Sequence, residues 1–174
     1  DIFLFSKSFN DHLITLEELF SRVAKANLKL SPAKSHIGHK VLNFLGHIIS
    51  AEGVIPNPKK SNVVLNWPTP KTAKELKSFL GLCSYYRKCV NRFADKAKCL
   101  YELANKETKI TKKVWSPQHE VSFNQLKKDL CTPPVMAAPD LNKEFILFCD
   151  ASNIGIGGTL TQIQDGTEKV IEFF

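Results

Sequence analysis

Lys74, Lys77, Ser78, Gly81, Tyr85 and Lys88 recur at helical spacing in the stretch Thr72 to Arg92, TAKELKSFLGLCSYYRKCVNR. At about 100° per residue they share one outward stripe of basic, small and aromatic groups. The chemistry open to such a stripe is binding. Ammonium groups meet phosphates, and a tyrosine ring lies against sugar or base. Glycine in a helix interior costs about 1 kcal/mol against alanine, so one on an outward face suits a partner that comes close to the backbone. A solvated lysine-rich face with an incidental glycine gives the same pattern, and the helix alone does not choose between the two.

The element that positions this stripe starts at a capping box, Thr72 with Glu75, and its inner side gathers Leu76, Phe79, Leu80, Cys83, Tyr86 and Val90. A second unusual place is NFLGHIIS at 43–50, where Gly46 interrupts a hydrophobic strand-like run and His47 follows it. Glycine there marks a bulge with a satisfied histidine, or a close backbone approach.

Fourteen of the 24 basic residues but four of the 17 acids fall between Pro58 and Lys113, so that stretch carries +10 and the remainder −3 of the net +7. A basic block between near-neutral flanks faces a polyanion, with nucleic acid as the expected partner. No broad exposed apolar face on the basic helix supports insertion into an anionic membrane, and no run of 18 apolar residues or signal peptide is present. The five cysteines are odd in number and form no C-x-x-C pair, which reads as free thiols in a reducing, intracellular setting. A zinc site drawing on His36, His39 and a distant cysteine lacks the close ligand pairs such sites use. The chain has no initiator methionine and opens and closes in strand-like runs, so it is expected to be a piece of a longer protein.

In order, DIFLFS at 1–6 reads as a short strand, Asn10 or Asp11 as the cap of a helix with Leu13, Leu16, Phe20 and Val23 on one side, and Asn27 as its left-handed end. Strands are expected at 34–37 and 41–50, giving β-α-β-β. Asn57-Pro58 opens a short helix to Asn66, the central helix follows, and a third places Phe93, Ala97, Leu100, Tyr101 and Ala104 on one face. After a basic linker, 106–113, Ser116-Pro117 opens a helix packed through Phe123, Leu126 and Leu130. Strands over 145–149 and 154–162, with Asp150 at the end of the first, and 170–174 after the Asp165-Gly166 hairpin complete a three-stranded meander.

Three segments in this order, FLGHIIS with its trailing AEGV, KELKSFLGLCSYYRK, and FILFCDASNIGIGGTL, resemble the reverse transcriptase and ribonuclease H region of the Pol polyprotein of gypsy-like long-terminal-repeat retrotransposons. The likeness runs over essentially the whole chain. It implies an α+β protein divided into the end of a reverse transcriptase palm with its primer grip (1–57), a helical thumb (58–105), a linker and connection helix (106–140), and the start of a ribonuclease H-like domain (141–174). It also implies that Asp1 is the second acid of the palm motif Tyr-Xaa-Asp-Asp and that Asp150 is the first of four ribonuclease H acids, each set binding Mg²⁺ in the complete parent enzyme. Phe44 to Ile48 is then similar to the primer grip, a hairpin, with Phe44, Leu45, Gly46 and His47 as its binding residues and Gly46 close to the primer phosphate. Lys74, Lys77, Ser78, Gly81, Tyr85 and Lys88 fall on the thumb's track along the template–primer duplex. One acid from each set cannot place two metals, so the expected capacity of this stretch alone is duplex binding rather than polymerisation or hydrolysis. The remainder of the Pol polyprotein is the expected partner, in a cytoplasmic retroelement particle or the nucleus. A domesticated, non-enzymatic interaction module is the alternative.

Overall fold

The computed structural model describes residues 1–106, 109–111, 113–152 and 155–174. They form two compact units, residues 1–40 and 41–174.

The first unit is built on helix α1, Phe9–Lys25. Its cap is Ser8, not Asn10 or Asp11: Ser8 Oγ accepts the Asp11 amide at 3.2 Å and its hydroxyl donates to the Asp11 carboxylate at 2.6 Å. Ser8 and Asp11 stand three apart, so the Ser8 side chain satisfies one orphan amide while the Asp11 carboxylate holds the hydroxyl in place. Asn27 ends the helix at φ 54°, as expected, and the Leu28 amide closes the end on Val23 O at 3.0 Å. The DIFLFS run forms no strand, and 34–37 is not a strand either. Pro32–Lys34 is a single 3-10 turn, closed by the Ser35 amide on Pro32 O at 3.1 Å. A strand needs a ladder partner for its amides, and none lies beside either run among the described residues.

The second unit begins with an antiparallel sheet in the order β1-β2-β3, formed by β1 (Leu42–Phe44), β2 (His47–Ser50) and β3 (Gly53–Pro56). The single strand-like run over 41–50 is divided by a hairpin, as the resemblance implies for Phe44 to Ile48. Leu45 and Gly46 both take positive φ, 45° and 74°, which is the two-residue turn that matches strand twist. Gly46 is therefore a turn residue and not a bulge.

Four helices follow, α2 (Pro58–Leu65), α3 (Ala73–Tyr85), α4 (Phe93–Lys106) and α5 (Pro117–Cys131). Asn57 caps α2 through Lys59 N, Thr72 caps α3 through Glu75 N, and Ser116 precedes α5, as their sequences direct. One core holds them together: Leu76, Phe79, Leu80, Cys83 and Tyr86, with Leu100 and Leu103 of α4 and Phe123, Leu126 and Leu130 of α5. The Phe79 and Phe123 rings meet at 4.5 Å, and each buried phenylalanine contributes about 1.5–3 kcal/mol. The bundle thus contains α5, which the sequence sets apart behind a linker. Lys96 of α4 pairs with Asp129 of α5 at 2.6 Å, and the linker residue Ile110 is buried with its amide on Lys71 O at 2.9 Å. On α4, Leu103 takes the inner place expected of Tyr101, which is exposed.

Helix α3 stops at Tyr85 rather than Arg92. Tyr86 leaves helical geometry, Arg87–Cys89 tighten into a 3-10 turn, and Arg92 turns left-handed at φ 53°. Val90 stays buried because the tighter turn returns it to the same core.

The last layer is the expected meander, in the order β4-β5-β6: β4 (Ile146–Ser152), β5 (Gly155–Gln164) and β6 (Thr167–Phe173). Asp165 and Gly166 make its second hairpin at φ 53° and 73°. Ile154, where the sequence starts the middle strand, lies outside the described residues. Asp150 is not at the end of β4; it pairs with Gly157 and the strand continues to Ser152. Met136 exchanges both backbone bonds with Val54 of β3, at 2.8 and 3.0 Å, and the Ala137 amide bonds Val170 O of β6 at 2.8 Å. Helices and two antiparallel sheets make this a mixed α+β fold.

Candidate nucleic-acid interface

The capping box sets the phase of α3, and burial of Leu76, Phe79, Leu80 and Cys83 fixes which side faces out. Burial also pushes the Cys83 thiol up to about 12, leaving it an inert core group. Lys74, Lys77, Ser78, Gly81 and Tyr85 are all exposed on the opposite side. No acid among the described residues pairs with Lys74 or Lys77. The Ser78 hydroxyl donates to Lys74 O at 3.0 Å. A methyl group built on Gly81 would meet nothing within 4 Å. Packing within the chain therefore does not demand glycine there.

Lys88 departs from this line. It lies on the 3-10 turn after the helix and pairs with Glu172 of β6 at 2.7 Å. Its position on the helical stripe follows from extending α3 one turn too far.

The hairpin tip lies against the end of α3. The Tyr85 hydroxyl donates to Leu45 O at 2.6 Å, and the Tyr86 hydroxyl donates to Gly46 O at 3.1 Å. The Asn57 amide adds a second bond to Gly46 O at 2.9 Å, and His47 Nδ1 lies 3.0 Å from Leu45 O. The His47 ring sits 5.8 Å from Tyr85 and 5.2 Å from Tyr86. Tyr85 keeps 55% of its surface exposed and Leu45 58%, while Tyr86 is buried. Burial, then the neighbouring Tyr85 and Cys89, push the Tyr86 phenol up, so it stays a protonated donor. Phe44 and His47 are half-buried and pair across the first hairpin. Gly46 has a reason inside the chain: besides its φ, a Cβ there would come 2.9 Å from the Tyr86 hydroxyl oxygen. Sequence reasoning places Tyr86 among core residues and misses its polar end. The signal was available, because a tyrosine on a buried stripe must still satisfy its hydroxyl.

The two acids are differently placed. Asp1 belongs to the first unit and is exposed. Asp150 is exposed on β4, where Arg92 Nε approaches it at 4.0 Å while also pairing with Asp95. A cavity of about 210 Å³ lies there, lined by Arg92, Asp95, Phe148, Asp150, Thr159 and Phe174 among others. Mg²⁺ wants several oxygen ligands, and among the described residues no three His, Cys, Asp or Glu side chains converge as a metal site. Asp150 shares this cavity with one other carboxylate, Asp95, and the Arg92 guanidinium stands against both, so the cation's place beside them is already taken by a positive side chain.

Residues 115–174 match the RNase H-like domain found in reverse transcriptase. The chain is 40% identical over 163 residues to the retrovirus-related Pol polyprotein from transposon 297 of Drosophila melanogaster, covering 93% of the chain and 15% of that protein. It is 38% identical to the Pol polyprotein from transposon opus of the same fly, over 99% of the chain and 18% of that protein. It is 31% identical to the transposon Tf2-3 polyprotein of Schizosaccharomyces pombe, over 95% and 12%. The chain thus spans less than a fifth of the length of the curated relatives it matches. Among solved structures, a foamy viral protease-reverse transcriptase dRH in complex with ds DNA superposes with TM-score 0.80 over 98% of this chain and 30% of that one. The foamy viral protease-reverse transcriptase in complex with RNA/DNA hybrid gives 0.78 over 98% and 23%. Both are 24% identical, a likeness of fold. No helix among the described residues is long and apolar enough to cross a membrane.

Proposed function

Because the chain belongs to the reverse transcriptase and RNase H region of retrotransposon Pol polyproteins, we propose that it holds a template–primer duplex on the outward stripe of α3 and the adjoining hairpin tip. The observation that carries this is Gly81: an exposed helical glycine with open space above it, between Lys74 and Lys77, which pair with no acid among the described residues, on one side and the anchored Tyr85 ring on the other. Two ammonium groups and a gap at the backbone suit a phosphate-lined groove, which is read by shape and charge rather than by sequence. The foamy viral enzymes of the same fold are complexed with ds DNA and RNA/DNA hybrid, which favours a duplex over a single strand.

In this reading residues 1–57 end the palm and carry the primer grip, 58–105 form the thumb, 106–140 connect, and 141–174 start the RNase H-like domain. Asp1 and Asp150 each contribute one acid to sites that the whole polyprotein assembles. Within this chain the work is positioning: lysines neutralise phosphates, Tyr85 presents a fixed ring face, and the turn carbonyls are already engaged, so the tip meets the duplex in one conformation.

Lys74→Ala with Lys77→Ala tests the assignment by fluorescence anisotropy on an RNA/DNA hybrid across a salt series. The slope of log affinity against log salt should fall by about two, one per lost phosphate contact, with no change in preference between duplex sequences. An unchanged slope removes the stripe from the interface. Lys88 is a poor probe, since reversing its charge sets a second carboxylate against Glu172.

A further inference from the structure

In a two-residue hairpin turn the carbonyls of both central residues lie outside the strand ladder and ordinarily face water. Here both are taken. Leu45 O accepts from Tyr85 and lies beside His47 Nδ1, while Gly46 O accepts the Asn57 amide, which continues the register of β2 with β3, and accepts a further bond from the Tyr86 hydroxyl. Leu45 is moreover a γ-branched residue at φ 45°, where asparagine, aspartate or glycine would sit without strain. Strained backbone persists when its surroundings over-determine it, and such strain gathers where a contact surface must be preformed.

We propose that the adjacent hydroxyls of Tyr85 and Tyr86 form a latch that fixes the Leu45–Gly46 turn to the C-terminal end of α3, so that turn and stripe meet a duplex as one preformed surface. The proposal rests on the duplex-binding reading above and adds a positioning residue, Tyr86. Its ring is buried in the bundle core and its hydroxyl reaches a carbonyl forty positions earlier in the chain. The residue thus joins two elements that sequence-local hydrogen bonds cannot join. Tyr85 does the same from the exposed side: its hydroxyl is held, so the ring cannot swing, and it offers a fixed face instead of a mobile one. Preorganisation of this kind improves binding by lowering the ordering cost on association.

Tyr86→Phe in the full 174-residue chain is the test. It keeps the buried ring, and Gly46 O keeps the Asn57 amide, so no buried acceptor is orphaned and the chain folds. Hydrogen exchange at the Asn57 amide reports the turn directly. It should quicken about three- to tenfold, the size of one lost net hydrogen bond, while amides in the middle of α4 and α5 exchange as before. Affinity for an RNA/DNA hybrid should weaken by a similar factor, and Tyr85→Phe, which also retains its ring, should act in the same direction. Unchanged exchange at Asn57 overturns the latch. Faster exchange with unchanged hybrid affinity overturns its role in binding. Exchange quickening throughout the bundle makes Tyr86 a stability residue and also overturns the proposal. A wild-type chain that binds no hybrid overturns the duplex-binding reading and the latch's role with it, while the exchange comparison still decides whether the latch holds the turn.

Discussion

Gly81→Ala should make the chain more stable and its duplex binding weaker. The substitution lies in the last third of α3, at a residue without positive φ, and its Cβ would enter open space. The helix-propensity gain is therefore unopposed, about 1 kcal/mol. For a chain of this size that raises the melting temperature by about 2–4 °C. The same methyl group stands where a duplex must come close to the backbone, and Gly81→Leu places three further carbons there with nearly alanine's helix propensity. Scanning calorimetry and hybrid anisotropy on the two variants measure both signs. The leucine variant should lose at least about tenfold in affinity, equivalent to ~1.4 kcal/mol, while remaining above wild type in melting temperature. A fall in melting temperature for Gly81→Ala would show that the face is packed. Full affinity in Gly81→Leu would refute the close approach and leave glycine there without a function.

Two other expectations concern stability. Gly53 opens β3 at φ 137°, and a Cβ there would lie 2.4 Å from Met136 O, so Gly53→Ala should cost about 3 kcal/mol in urea unfolding; a loss below about 1 kcal/mol refutes that packing. His119 accepts the Ser116 amide on Nδ1 at 3.0 Å at the start of α5, and burial lowers its pKa while Glu102 opposes the shift. The unfolded chain then holds more protons, so this contribution is complete above the unfolded value of about 6.5 and is lost as pH falls below it. His119→Gln keeps the reciprocal cap and should flatten the difference between urea midpoints at pH 7.5 and 5.5, whereas an unaltered difference assigns the pH dependence elsewhere.

The sequence was most informative where one residue type has one structural use. Thr72 with Glu75, Asn57-Pro58 and Ser116-Pro117 mark helix starts because side-chain acceptors must meet orphan amides, and all three stand where the helices begin. Asp165-Gly166 marks a hairpin for the same kind of reason. Residue patterns alone missed the Leu45–Gly46 turn, which only the resemblance implied, because leucine at positive φ is no turn signal; the hydroxyls that hold it belong to Tyr85 and Tyr86, forty residues away. The end of α3 escaped because Val90 remains in phase with the core after the backbone has tightened, so periodicity could not register the change. Ser8 was passed over for Asn10 and Asp11, caps of about equal strength in isolation, although of the three only Ser8 has an acid three residues on. The outward stripe was legible as far as Tyr85 and misread at Lys88, whose partner Glu172 lies in a different layer.

The stretch Val135–Ala137 has a role out of proportion to its length. Met136 bonds outward to Val54 and Ala137 bonds the other way to Val170, as successive residues of an extended chain do. Two successive residues thereby each bond the margin of a different sheet, β3 at Val54 and β6 at Val170, and occupy backbone groups on edges that would otherwise be open to strands from other molecules. Inserting one residue between Met136 and Ala137 would reverse the alternation, so that the bonds to β3 and β6 could not both form and one margin would be left open to pairing with another chain.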